Sequence, residues 1–174
     1  MRRTGTTRRG AFTATGAIAM GAVLAGCGDG TGPQEGSARA DAATTAEQAA
    51  ARAEKTLRTG AAGTSRELLA RYEQVVRAYP ATAAGLSPLR DAVRAHAKAL
   101  APDGGKTLVF SRTRATDAAG ALKELAAAER RTADAHTATL LNAPPELARL
   151  LASIAAAGAA HAYLLTELAK ETSS

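Results

Sequence analysis

PELARLLASIAAAGAAHAYLLTELAK, residues 145–170, decides the fold class. Leu147, Leu150, Leu151, Ile154, Ala157, Gly158, His161, Leu164, Leu165 and Leu168 return at the spacing of one helix face. Pro145 suits a first helical position, where its missing N–H costs nothing. A helix from Pro145 to about Ala169 is expected, longer than any strand and with an apolar stripe that must be covered by other helices.

The same period recurs upstream. Leu122, Leu125, Glu129, Thr132, His136 and Leu140 share a face of a helix from about Asp117 to Leu141, with Thr116 as cap and Asn142-Ala143-Pro144 as its close. The short link to Pro145 makes these two helices antiparallel neighbours. Before them, Leu86, Leu89, Val93, His96 and Leu100 line a helix that opens at Ser87-Pro88 and ends at Pro102-Asp103-Gly104-Gly105. Leu68, Leu69, Tyr72, Val75, Val76 and Tyr79 line another, from Ser65 to Tyr79. Thr64 and Glu67 form a capping box at its start, and Pro80 stops it. A weaker, alanine-striped helix is expected from Thr45 to Leu57, closed by Gly60-Ala61-Ala62-Gly63. Thr107-Leu108-Val109-Phe110 has strand character, but a lone strand leaves its edges unpaired. It reads as an extended crossover. The expected fold is therefore all-α: a four-helix bundle, up-and-down or ferritin-like, to which an extra N-terminal helix can be added.

The first 27 residues follow another pattern. Arg2-Arg3 and Arg8-Arg9 precede a mildly apolar run from Ala11 to Leu24, which ends in Leu24-Ala25-Gly26-Cys27. Small residues before a cysteine resemble the lipobox of a bacterial lipoprotein signal peptide, in which the cysteine receives a diacylglycerol. Thr6-Thr7-Arg8-Arg9-Gly10-Ala11-Phe12 also resembles a twin-arginine (Tat) export signal, with Phe12 one place late; both the Tat and the general secretory routes stay open. The run is too short to span a bilayer as a helix. The resemblance implies three segments: a signal peptide over 1–26, a lipidated Cys27 with a flexible tether over 27–42, and a helical domain over 43–174. It also implies a place on the outer face of the cytoplasmic membrane, held there by acyl chains such as palmitate.

Cys27 is the only cysteine, so no internal disulfide can form. The chain carries 22 Lys and Arg against 16 Asp and Glu. Four of the arginines, and no acid, lie in the signal. The remainder holds 18 against 16, a net of +2. The high pI belongs to the export segment, and no nucleic-acid partner is implied. Gly104-Gly105 follows a helix rather than a strand, so it is not a phosphate loop. Arg130-Arg131 reads as solvated helix surface.

All three histidines, His96, His136 and His161, fall on expected core stripes, with Glu129 among them. A core glutamate is costly unless paired. Converging imidazoles and carboxylates are how helical bundles build metal sites. His96, Glu129 and His161 are the candidate ligand or metal residues. His136, two turns from Glu129, belongs nearby, toward the surface or the end of the bundle.

With these residues the chain resembles ferritin-like bundle proteins, and especially the small ferritin-like lipoproteins of actinobacteria, over residues 65–169. The resemblance implies a glutamate on the first helix, Glu-x-x-His on the second, a glutamate on the third and Glu-x-x-His on the fourth. His96 and His161 match the two histidines, and Glu129 the third-helix carboxylate. Val93 and Gly158 stand where two glutamates are implied, and Tyr72 lies on the first stripe with Glu73 beside it. A di-iron site is not supported, and the site is degenerate. The favoured expectation is a hydrogen bond from His96 or His161 to Glu129 in a non-enzymatic domain with no cofactor, anchored to the membrane and facing an envelope-protein partner. One alternative is a single zinc or copper ion on two histidines and Glu129, for sequestration or sensing. The other is a small-molecule binder that uses space beside Ala157-Gly158, opposite Val93 and Tyr72.

Overall fold

A computed structural model describes residues 34–101 and 115–173, with side chains from residue 41 onward. Among them are four α-helices and a single 3₁₀ turn: α1 (Gln34–Ala78), the turn Pro80–Thr82, α2 (Ala83–Leu100), α3 (Ala118–Leu140) and α4 (Pro145–Thr172). The all-α bundle expected from the stripes is what forms. Cys27, the export segment, the Thr107–Phe110 crossover and the Pro102–Gly105 stop lie outside the described residues.

Two apolar clusters along the bundle give the direction of each helix. The first joins Leu68, Tyr72 and Val75 of α1, Leu86 and Leu89 of α2, Leu122 and Leu125 of α3, and Leu165 and Ala169 of α4. The second joins Ala61 and Ala62 of α1, Leu100 of α2, and Leu147, Leu151 and Ile154 of α4, with Leu140 of α3 against it. α1 and α4 run from the second cluster to the first; α2 and α3 run from the first to the second. The order is up, down, down, up. Of the two expected topologies this is the ferritin-like one, in which α2 and α3 are parallel and one connection joins opposite ends of the bundle. The fully buried leucines, Leu122, Leu147, Leu151 and Leu165 among them, carry most of the packing. Each stabilises by about 1.5–3 kcal/mol, far more than the surrounding alanines.

Local rules explain most helix ends. Asp117, not Thr116, caps α3: its side chain accepts a hydrogen bond from the Gly120 amide at 2.7 Å. Tyr79 precedes Pro80 and leaves the helical region, at φ −131° and ψ 73°. Its hydroxyl donates to the Ala115 carbonyl at 3.1 Å, tying the end of α1 to the approach to α3.

Tertiary packing overrides local signals at several helix boundaries. The two N-terminal helices are one: α1 runs for 45 residues through Gly60 and Gly63. Each glycine costs a helix about 1 kcal/mol relative to alanine. Ala61 and Ala62 are buried in the second cluster, and that packing carries the helix across. Thr64 is therefore no cap, and its hydroxyl donates to the Gly60 carbonyl one turn back. α1 also begins at Gln34, so residues 34–42, expected as tether, are helical. Finally, α2 begins at Ala83, which leaves Pro88 inside the helix. Pro88 cannot donate to the carbonyl of Ala84, but both residues lie on the exposed side, where water can take that carbonyl.

Residues 41–53 of α1 are exposed throughout, ahead of the point where Leu57 meets the bundle. Alanine propensity and one-turn contacts hold this overhang: Thr45 donates to the Asp41 carbonyl, Arg52 to Gln48, and Arg58 pairs with Glu54 at 2.7 Å. At 1.5 Å per residue, residues 34–56 extend about 35 Å.

Among the described residues α4 is the one helix long and apolar enough to cross a membrane, although only 33% of its most apolar window is buried in the bundle. Leu164, expected on the core stripe, is 50% exposed. It sits one residue from Leu165, and the narrow interface has room for only one of them.

Candidate functional site

A polar layer separates the two apolar clusters. α1 contributes Ser65 and Tyr72, two turns apart; α3 contributes Glu129 and His136, also two turns apart. Because α1 and α3 are antiparallel, the spacings match in reverse. Tyr72 meets Glu129, and Ser65 meets His136. α4 supplies His161, and α2 supplies His96.

Glu129 is the centre of the layer. Its side chain is 1% exposed. Tyr72 donates its hydroxyl to Oε1 at 2.5 Å. His161 Nδ1 lies 3.1 Å from the same oxygen and donates to it when the proton is on Nδ1. The other carboxylate oxygen faces Gly158. A Cβ at that position would come within 3.3 Å of Oε2 and 3.4 Å of the Ala133 Cβ. Glycine suits this position because α3 and α4 close on each other around a carboxylate, and a side chain here would press on it. The space expected beside Gly158 is thus taken by Glu129 and Ala133, and Tyr72 and Val93 are themselves buried.

His96 is less buried than the rest. Its ring stacks on His161, with centroids 6.2 Å apart and planes inclined by 14°. His136 is 1% exposed, not at the surface or a bundle end as expected. Its Nε2 lies 3.1 Å from the Ser65 hydroxyl, while its buried Nδ1 has no protein partner among the described residues.

The electrostatics follow from burial. Burial pushes the Tyr72 hydroxyl far above the ordinary phenol range, and the neighbouring Glu129 carboxylate raises it further. Tyr72 stays a hydrogen-bond donor at any pH a cell meets. Burial lowers the pKa of His96 below 6.5; His161 lowers it further and Glu129 opposes. Burial likewise lowers that of His136, with His96 adding to the effect and Glu129 opposing. For His96 and His136 the neutral ring is favoured because burial strips the charged form of its hydration, and repulsion from a neighbouring imidazole adds to this.

Of the expected residues, His161 bonds to Glu129, and His96 stacks on His161. His136 joins through Ser65 instead of Glu129. The sequence pattern did not reveal Ser65 as a partner, because a serine beside Thr64 looks like part of a helix start. Nor did it reveal the role of Tyr72, because a tyrosine on an apolar stripe looks like core. The signal was present in the matching two-turn spacings of Ser65–Tyr72 and Glu129–His136.

Among the described residues no group of three His, Cys, Asp or Glu side chains is arranged to hold a metal ion. The carboxylate oxygen nearest His161 already accepts from Tyr72. Comparison with known proteins finds no matching family model, no matching curated protein and no matching solved structure.

Proposed function

We propose that this chain is a lipid-anchored, extracytoplasmic helical-bundle lipoprotein with a structural or protein-interaction role and no catalysis of its own. The observation that carries the anchoring is Leu24-Ala25-Gly26-Cys27 behind a basic and then apolar segment. The polar layer supports the non-enzymatic part. Tyr72 and His161 both satisfy one oxygen of Glu129, and Gly158 packs against the other. Hydrogen bonds between buried polar groups on different helices fix how those helices dock, which is a structural role. The exposed N-terminal part of α1 extends toward Cys27 in sequence and would stand the bundle off the membrane as a semi-rigid spacer. Cell fractionation of the wild-type chain and Cys27→Ser tests this. Membrane-bound wild type and a released variant are expected; equal membrane association of both would overturn the anchor.

A second reading, a mononuclear zinc or copper site, is favoured by the side-by-side placement of His96 and His161 next to Glu129. On that reading Tyr72 turns away and two imidazoles and the carboxylate take the ion, with bonds of about 2.0–2.2 Å. Metal analysis of the chelator-free protein and of His161→Ala decides it. Near-stoichiometric metal that is lost in the variant would establish this reading in place of the structural one.

A further inference from the structure

The outward face of α4 is unlike the other exposed helix surfaces. Ala152, Ala156, Ala159, Ala160, Tyr163 and Leu164 are all exposed and lie on one side of the helix. Tyr163 is 64% exposed and Leu164 50%. No charged residue interrupts this face between Arg149 and Glu167. Charges return only at its two ends, as the ion pairs Arg149–Glu146 and Lys170–Glu167.

The spacing of those end charges is symmetric about Gly158. Glu146 precedes it by twelve residues and Lys170 follows it by twelve; Arg149 precedes it by nine and Glu167 follows it by nine. Set against an inverted copy of itself, with the two-fold axis at the level of Gly158, α4 places Glu146 opposite Lys170 and Arg149 opposite Glu167. All four cross-pairs in the dimer then join opposite charges. Size is complementary as well. Tyr163 falls opposite Ser153, Leu164 opposite Ala152, and Ala156 opposite Ala160. Large side chains meet small ones at each level, and alanine meets alanine at the centre, where close helix approach is needed.

We propose that this face is an isologous interface: two copies of the chain associate through antiparallel α4 helices about a two-fold axis beside Gly158. The geometry is that of a closed dimer, in which one patch serves both partners and no further copy can add. The end charges set the register, and the apolar centre supplies the contact area. A bilayer is the less fitting occupant, since it would leave the four end charges without a role.

Sedimentation of the full chain carrying Cys27→Ser, which lacks the acyl acceptor, tests the interface. A concentration-dependent dimer is expected. Arg149→Glu sets like charges opposite each other at both ends and should raise the dissociation constant by at least about tenfold. Arg149→Glu combined with Glu167→Arg exchanges each pair and should restore association to within a factor of about three. Ala156→Arg, at the centre, should abolish the dimer. All these positions are on the outer face, and far-ultraviolet circular dichroism verifies that each variant stays helical. A chain that is monomeric up to ~100 µM overturns the proposal. So does a dimer indifferent to Arg149→Glu and Ala156→Arg, or a monomer that instead binds phosphatidylcholine vesicles through this face.

Discussion

Tyr72→Phe is the sharpest perturbation of the polar layer, because it removes one oxygen and no packing. The Tyr72 ring is fully buried between the helices and would stay in place as phenylalanine. What is lost is the 2.5 Å hydrogen bond to Glu129. A bond to a carboxylate contributes about 1.5–3 kcal/mol, and the remaining buried oxygen keeps only His161 as donor. The expected loss is about 2 kcal/mol out of a typical 5–15 kcal/mol for such a domain. With a denaturant slope of about 1–3 kcal/mol per molar urea, the unfolding midpoint should fall by roughly 1 M. The same change in a Glu129→Leu background should behave in the opposite way. There the Tyr72 hydroxyl is the orphan, so its removal should be neutral or stabilise by about 1 kcal/mol. The two backgrounds together give a coupling energy of about 2–3 kcal/mol. An effect of Tyr72→Phe below about 0.5 kcal/mol, or an equal cost in both backgrounds, would refute the view that this bond holds the layer together.

Further outcomes follow from neighbouring residues. Folded-state pKa values of His96 and His136 lie below the ordinary 6.5, so as pH falls the unfolded chain takes up protons first. Their contribution is therefore fully present above about pH 7.5 and is lost as pH drops through 6.5 toward the depressed values. Urea midpoints measured from pH 8 to pH 5 should fall, and His136→Gln should flatten that slope. Gly60 has nothing within 4 Å of an added Cβ, so Gly60→Ala should stabilise by about 1 kcal/mol through helix propensity alone. Gly158→Ala should give no such gain, because its Cβ presses on Glu129, which Tyr72 and His161 hold; thermal melting of the two variants compares them directly. Ser65→Ala leaves His136 without its one observed partner and should cost about 1–2 kcal/mol by urea unfolding.

The parts of this fold legible in the sequence are those where period decides. The stripes of α3 and α4 place Leu122, Leu125, Glu129, His136, Leu147, Leu151, Ile154, His161 and Leu165 inward, and all are buried. The pairing of Glu129 with His161 follows from the same stripes. Local rules misplace what tertiary burial overrides. Two glycines read as a helix end, yet Ala61 and Ala62 are packed and the helix continues. Ser87-Pro88 reads as a helix start, yet the preceding turn forms because Leu86 is buried in the first cluster. Thr116 reads as a cap one residue early: Asp117 is itself extended, at φ −143° and ψ 169°, so α3 starts at Ala118 and the Asp117 side chain meets the amide three residues on. Leu164 reads as core from spacing alone, and only the width of the packed interface shows that it faces outward. Pairing across helices is not legible in any one stripe. That Tyr72 donates to Glu129, and that Ser65 pairs with His136, depends on the antiparallel register of α1 and α3.

The anchoring of the bundle is tested most directly by the intact mass and N-terminal peptide of the chain recovered from the membrane fraction of the cells that make it. The account predicts that the mature protein begins at Cys27 and carries the added mass of a diacylglycerol on its sulfur. An unmodified Cys27 within a longer chain that still holds residues 1–26 would contradict it.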